Sequence, residues 1–310
     1  MSKKPIIMDC DPGHDDAIAL LMAFASEDLD VKLVTTVAGN QTVDKTANNA
    51  LRVLSFAGIE VEVAAGAVKP LSRDLIVAPE VHGDSGLDGP ILPPPTLKKS
   101  ERNAIDAMVD VIEKSDVPVT LIPTGPLTNI ATLLLSHPEV KSNIEQISLM
   151  GGACIGGNWT PAAEFNILVD PEAASIVYNS GIPITMCGLD VTHKALVYME
   201  DIERIRNIGG KVSTMVAELL DYFALFHKQF GFEGSPLHDP CAVAYLINPD
   251  LFETMKCHVD IETKGEFTTG ATVADMHHVL KKEKNVEVVL DIDREAFIDL
   301  LIKSLKHYDQ

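Results

Sequence analysis

The chain has 310 residues, enough to bury a large core, and 46% of them are hydrophobic while 23% are charged, the balance of a globular protein. Its 45 acidic against 25 basic side chains leave a formal net charge of -20, which excludes a surface built to track nucleic-acid phosphates. No run of about eighteen uninterrupted apolar residues is present, and MSKKPIIM reaches Asp9 too soon for a signal peptide, so a cytoplasmic chain without membrane partners is expected.

In chain order, apolar β-branched runs alternate with amphipathic ones: PIIM then DAIALLMAFAS, VKLVTTVAG then TVDKTANNALRVLSFAG, VEVAAG then NAIDAMVDVIEKS, PVTLIPTG then PLTNIATLLLSH. A period of two gives way each time to a period near 3.6, the pattern of βαβ units. IEQISLMGG, the helix PEAASIVYNSG with Asp170 as cap and Pro171 at its first position, and PITMCGLDV continue it. Residues 199–230 read as one helix, and HDPCAVAYLI opens another with Asp239 at the N-cap. VDIET, TTGATVA and VEVVLDID read as late strands with an antiparallel edge. REAFIDLLIKSLKHY closes the chain as an amphipathic helix whose stripe is Ala296, Phe297, Leu300, Leu301 and Leu305. The fold class expected is α/β, with one domain over 1–310 and a doubly wound, mainly parallel but mixed central sheet. Residues 77–96 and 227–239 are the least regular stretches and read as functional loops. The five cysteines, Cys10, Cys154, Cys187, Cys241 and Cys257, are odd in number and lack zinc spacing, so free reduced thiols are expected.

Immediately after the first strand stands DCDPGHDDA, with Asp9, Asp11, Asp15 and Asp16 inside eight residues. Two like charges about 4 Å apart repel by roughly 4 kcal/mol at an effective dielectric near 20, so such crowding needs a neutralising partner. Asp15 and Asp16 fall in the first turn of a helix, where carboxylates favour the dipole even without further function. Asp9 and Asp11 are not accounted for in that way. A carboxylate set with carbonyl and water oxygens suits a hard cation such as Ca²⁺ or Mg²⁺, and the spacing is not that of an EF-hand. A rival reading is a Mg²⁺-dependent phosphatase of the haloacid dehalogenase type with Asp9 as nucleophile. Pro12-Gly13 and the extra pair Asp15-Asp16 speak against it.

Ligands of open parallel sheets sit beyond the carboxyl ends of the strands. The residues following each apolar run are accordingly candidates: DCDPGHDD after the first, Asn40 after VTTVAG, Thr124 after VTLIP, GGNWTPAAEFN after ISLMGGA, and Asp239 at the start of a late helix.

These segments resemble the inosine/uridine-preferring nucleoside hydrolase family: DCDPGHDDA, VAGNQT, HGDSGLDGP, PTGPLTNIA, LMGGACIGGNWTPAAEFNILVDPEAA and LHDP match in order from residue 6 to about 250. The match is closest to the branch that prefers pyrimidine ribonucleosides. The resemblance implies a Rossmann-like nucleoside hydrolase fold and Ca²⁺-dependent hydrolysis of ribonucleosides, uridine and cytidine before inosine, to ribose and free base in nucleoside salvage. It implies Asp11 as calcium ligand and general base, with Asp16, the Thr124 main-chain carbonyl and Asp239 as further ligands. Asp15 and Asn40 would bind ribose hydroxyls, Asn158, Glu164 and Asn166 the far side of the sugar, and Asp9 would support the loop. His238 and His82 are the candidates for protonating the leaving base, while His14 is undecided between function and support. Phe230 would stack on the base in a stretch, Phe226, His227, Gln229 and Phe230, that departs from the tyrosine and glutamine common in the branch. Trp159 is expected to pack rather than stack on the base, and His277 and His278 to be surface residues. The family is tetrameric or dimeric, so a homo-oligomer is expected.

Overall fold

The computed structural model describes residues 3–309. The chain opens β1 (Lys4–Cys10), α1 (His14–Ala25), β2 (Leu29–Thr36), α2 (Val43–Ala57) and β3 (Val63–Ala65), then α3 (Pro79–His82), α4 (Ala104–Lys114), β4 (Val119–Pro123), α5 (Thr128–Ser136) and β5 (Ile144–Met150). It continues α6 (Phe165–Val169), α7 (Pro171–Tyr178), β6 (Ile184–Cys187), α8 (Leu189–Thr192), β7 (Leu196–Val197), α9 (Met199–Arg206), α10 (Lys211–Gln229), β8 (Ser235–Pro236) and α11 (Asp239–Ile247). β9 (Phe252–Cys257), β10 (Val259–Ile261), β11 (Thr272–Ala274), β12 (Val286–Ile292) and α12 (Arg294–Lys306) complete it.

The eight-stranded sheet has the order β3-β2-β1-β4-β5-β6-β12-β9, parallel throughout except where β9 runs against β12. Strand order therefore reverses between β1 and β4, the topological switch point where a ligand crevice is expected. The register sets Asp9 beside Thr35 on one side and Pro123 on the other, and Thr124 N–H donates to the Asp9 carbonyl at 2.9 Å. The carboxyl ends of β1, β2 and β4 thus finish at one level. One apolar layer, with Leu20, Leu54, Leu220 and Leu301, covers one face, and another, with Leu121, Ile147 and Val177, covers the other. That is why the inner strands read as continuous apolar runs. α1 is buried from His14 to Ala23, since α11 and α12 pack over it.

Local chemistry fixes the helix starts. Asp170 caps α7 by accepting from Ala173 N–H at 3.0 Å, with Pro171 just inside, as the spacing predicts. The 199–230 segment is two helices, not one: Gly209, at φ +85°, turns the chain between α9 and α10. Asp239 is the first residue of α11 and His238 its cap, one position from the expected register. The late strands divide: β10 and β11 form their own antiparallel pair, while β12 joins the main sheet and recruits β9, which the alternation did not reveal. In α12, Phe297, Leu301 and Leu305 are buried and Ala296 and Leu300 partly so. The five cysteines are free. Among the described residues no helix is long and apolar enough to cross a membrane.

Candidate active site

A cavity of about 580 Å³ opens over the β1/β4 switch point. Its floor comes from strand ends and helix starts, with Asp15, Asn40, Thr124 and Asp239 lining it and Asp11 and Asp16 fully buried beneath. Asp16 accepts from Gly13 N–H at 2.9 Å, the Thr124 hydroxyl at 2.8 Å and the Asn40 amide at 3.3 Å. Asp11 Oδ2 accepts from Asn40 N–H at 2.7 Å, while Oδ1 is buried without a hydrogen-bond partner. Glycines make room for that carboxylate: a Cβ at Gly39 would overlap Oδ2, and one at Gly125 would come to 2.5 Å from Oδ1. Asp15 faces the backbone N–H groups of His238 and Asp239 at the start of α11.

Three floor carboxylates stand close enough to hold a metal ion. One oxygen from each of Asp15, Asp16 and Asp239 lies within 4.8 Å of the other two. Burial, reinforced by the neighbouring carboxylates, pushes Asp11 and Asp239 well above the usual carboxylate range and Asp15 to about 7; burial raises Asp16 as well. An all-oxygen donor set with an orphaned Asp11 Oδ1 suits a hard divalent ion, and the residues present fit one.

On the sugar side, Glu164 caps α6 by accepting from Gly152, Asn166 and Ile167 N–H groups at 2.9, 2.9 and 3.1 Å, and burial raises it to about 7. The Asn166 amide donates to the Thr124 carbonyl at 2.7 Å and the Met150 carbonyl at 3.3 Å. Asn158, exposed at the rim, accepts from Phe165 N–H at 3.0 Å.

The opposite wall is aromatic. His82, His193, Phe223, Phe226, His227, Phe230, Phe232 and His238 line it. His14 Nε2 lies 2.8 Å from the Asp88 carbonyl, which can only accept, so that nitrogen carries the proton and His14 Nδ1 holds a lone pair. His82 Nδ1 lies 3.0 Å from that nitrogen and 3.4 Å from the His14 backbone N–H, which donates to it. His238 Nδ1 meets the Thr192 hydroxyl at 2.8 Å, a partner able to donate or accept. Burial holds His14 and His227 down to about 4 and His82 and His238 well below the ordinary imidazole value, so all four are neutral.

Of the residues expected from sequence, the cavity gathers Asp15, Asn40, His82, Thr124, Asn158, Glu164, Asn166, Phe230, His238 and Asp239 on its lining, with Asp11 and Asp16 below. Asp9 is held apart, its Oδ1 accepting from the Thr35 hydroxyl at 2.6 Å and the Asn129 amide at 2.7 Å, while burial raises it to about 6. Absent from the cavity lining and held by those two donors, it is not placed to serve as the nucleophile of the rival phosphatase. Phe230 is 67% exposed at the mouth, and Trp159 packs on Phe165 at 4.8 Å between ring centres while also reaching the cavity. His277 and His278 are exposed. Sequence reading missed Thr192, His193 and Phe223, and named His227 only as part of the stretch that departs from the branch's base contacts. Phe223, Phe226, His227 and Phe230 recur at helical spacing, which reads as an ordinary packing stripe; the polar His227 within it was the available signal.

The profile of the inosine-uridine preferring nucleoside hydrolase family matches residues 6–299. The chain is 58% identical over 308 residues to the pyrimidine-specific ribonucleoside hydrolase RihA of Shewanella sp. (strain ANA-3), covering 98% of this chain and 97% of that one. It is 55% identical over 307 residues to the RihA of Escherichia coli O7:K1, covering 98% and 99%. The purine-preferring ribonucleoside hydrolase from Gardnerella vaginalis superposes with a TM-score of 0.92 at 31% identity, and an inosine-guanosine nucleoside hydrolase with 0.90 at 26%, each over 98% of this chain and 99% of the other. With the family profile spanning nearly its whole length, the chain belongs to the inosine-uridine preferring nucleoside hydrolase family.

Proposed function

We propose that this protein hydrolyses the N-glycosidic bond of ribonucleosides, pyrimidine nucleosides first, giving ribose and free base with Ca²⁺ as cofactor. One observation carries the reading: a single cavity sets a buried carboxylate floor, with Asp11 Oδ1 unpaired, opposite a wall of aromatic rings and neutral histidines. Such a cavity suits a molecule with a polyhydroxylated half and a flat half. The relatives' names and the family membership support the same chemistry.

The ion would be held by Asp11, Asp16, Asp239 and the Thr124 carbonyl, and would supply Lewis acidity toward a water and the sugar hydroxyls. Asp11 acts as base toward the attacking water, since its Oδ1 is an acceptor without a protein donor beneath the cavity floor, whereas Asp9, whose Oδ2 also lacks one, is tied to Thr35 and Asn129, outside the lining. Asp15 and Asn40 bind the ribose hydroxyls; Asp15 belongs to the same tight carboxylate group as Asp16 and Asp239, which brings sugar and ion side by side. Asn158, Glu164 and Asn166 line the other side of the sugar. As the bond breaks, positive charge grows on the ribose ring, and the surrounding carboxylates and amide oxygens stabilise it. His238 donates to the departing base, because its Thr192 partner leaves Nε2 free to carry the hydrogen; His82 assists from the opposite side and Phe230 covers the base at the mouth. Asp9 supports the loop from behind.

Residues 1–310 act as one catalytic domain in this reading, supported by the one eight-stranded sheet that both apolar layers share. A cytoplasmic location is supported by five unpaired cysteines. A dimer or tetramer is supported by the exposed Phe267, Val273, Val279 and Leu280, which a partner copy would cover; light scattering on the purified protein measures it. The activity test is release of reducing sugar from uridine, cytidine, inosine and adenosine, before and after chelation and after return of Ca²⁺ or Mg²⁺. Ribose release restored by Ca²⁺, fastest with uridine or cytidine, is the expected result. No ribose from any of the four sinks the hydrolase assignment, and full activity under strong chelation sinks the cofactor assignment.

A further inference from the structure

His227 sits near the C-terminal end of α10, buried to 6% exposure, yet its ring lines the cavity. Nδ1 lies 3.0 Å from the Phe223 carbonyl oxygen. A carbonyl cannot donate, so Nδ1 carries the hydrogen and Nε2 of the neutral ring holds a lone pair. Among the described residues no protein group donates to Nε2. The ring plane is fixed as well: Phe223 stands perpendicular to it at 4.3 Å between centres, Phe226 at 5.3 Å and Phe232 at 5.6 Å. The acceptor left over belongs to a fixed ring on the aromatic side of the cavity lining.

We propose that His227 is a base-recognition residue whose Nε2 accepts a hydrogen bond from an N–H of the base, favouring bases that present such a donor on that edge. The inference rests on the nucleoside reading above and extends it to a residue outside the reacting groups. The wall then divides its labour. His227 has its Nδ1 hydrogen committed to the Phe223 carbonyl and presents a lone pair, whereas His238, whose Nδ1 meets the Thr192 hydroxyl, can present a hydrogen to the leaving base. Uracil, with N3–H between two carbonyls, offers one donor to such an acceptor; blocking that nitrogen with a methyl group removes it.

The experiment compares uridine with 3-methyluridine in the wild-type protein and in His227→Asn and His227→Gln. Asn keeps an amide N–H able to reach the Phe223 carbonyl but removes the acceptor at the Nε2 position, while Gln carries a carbonyl oxygen out to that position. A site built around an N–H donor rejects an analogue lacking it by a large factor, so the wild type should prefer uridine by about 10²-fold or more in kcat/KM. His227→Asn should shrink that ratio about tenfold, through a raised KM for uridine, and His227→Gln should restore most of it. Equal losses on both substrates, leaving the ratio unchanged, or a Gln variant no better than Asn, overturn the assignment. Wild-type protein that cleaves uridine and 3-methyluridine equally well overturns it too. Failure to release ribose from any ribonucleoside is distinguishable from these outcomes, because it removes the nucleoside reading itself.

Discussion

On the floor and the sugar side of the cavity two carboxylates are held several times over: Asp16 accepts three hydrogen bonds and Glu164 three. On the facing wall each of His227 and His238 has one polar tie, to the Phe223 carbonyl and the Thr192 hydroxyl, and is otherwise kept in place by aromatic packing. The floor is anchored to strand ends and helix starts at the centre of the sheet, the wall to one end of a helix and the loop after it. Redundant polar anchoring suits the half that must handle charge in the transition state, where small displacements weaken electrostatic stabilisation sharply. A packed wall with few obligatory hydrogen bonds can exchange side chains without disturbing the chemistry. Changes on the floor should therefore reach kcat, and changes on the wall should reach leaving-group dependence and KM.

Asp11→Ala breaks the floor most directly. Loss of the base should lower kcat about 10³- to 10⁴-fold, equivalent to roughly 4–5.5 kcal/mol of transition-state stabilisation. KM should change little. The buried Asn40 N–H loses its acceptor on Asp11 Oδ2, so the variant should melt modestly lower while staying folded. Retained activity would contradict the assigned role.

Cation removal sharpens the same half through pH. In the chelated protein burial raises Asp15 from 3.8 to about 7 and Glu164 from 4.5 to about 7, with Asp9 at about 6. The folded state then keeps protons that the unfolded chain releases, so stability falls as pH rises from about 4 to about 7 and stays low above. Ca²⁺ at a hundred times its Kd should return about 2.7 kcal/mol at pH 8 and much less at pH 5, where protons already occupy the carboxyls. Thermal melts in chelator and in Ca²⁺ across that range read the difference. A chelated protein whose Tm climbs from pH 5 to pH 8 would show that the buried carboxyls ionise without strain.

The two halves also differ in how legible they are in the amino-acid sequence. Asp11, Asp15, Asp16, Asn40 and Thr124 follow apolar runs, and the rule that sites lie beyond strand carboxyl ends gathers them from the sequence pattern alone. The parallel sheet is legible for the same reason, as its strands are continuous apolar runs between helical periods. Two features of the fold are not. The interruption of 199–230 depends on one glycine in a left-handed turn, and β9 is an edge strand, FETMKC, whose polar outward residues mask its period. The wall is less legible from pattern: Phe223, Phe226, His227 and Phe230 lie at the spacing any buried helix face shows, and only the family resemblance singles out the stretch from Phe226 to Phe230. Thr192 carries no motif; only its 2.8 Å approach to His238 reveals it.

Thr192→Val tests the wall at the one polar tie of His238. Valine keeps the volume and removes the hydroxyl, leaving His238 Nδ1 without its partner and the ring without a reason to hold its hydrogen on Nε2. Uridine turnover should fall about tenfold, toward the low end of what a positioned general acid contributes. 4-Nitrophenyl β-D-ribofuranoside, whose leaving group departs as a stable anion, should be cleaved at nearly the wild-type rate. Equal losses on both substrates would move Thr192 to the architecture of α8 and away from leaving-group assistance.

The smallest effect belongs to Phe230. It stands at the end of α10 with two-thirds of its surface exposed, 4.7 Å from Phe226 between ring centres. A ring at the mouth of a cavity contributes by covering the base rather than by touching reacting atoms. Because much of its surface faces water, only a fraction of the roughly 1.5–3 kcal/mol of a fully buried Phe is available to substrate binding. Phe230→Ala should raise KM for uridine about two- to fivefold while kcat and Tm stay within error, an effect of under about 1 kcal/mol. Should kcat fall with it, the mouth would be part of the machinery that keeps water from the developing sugar cation. The boundary between a rigid floor and an exchangeable wall would then run outside Phe230 instead of inside it.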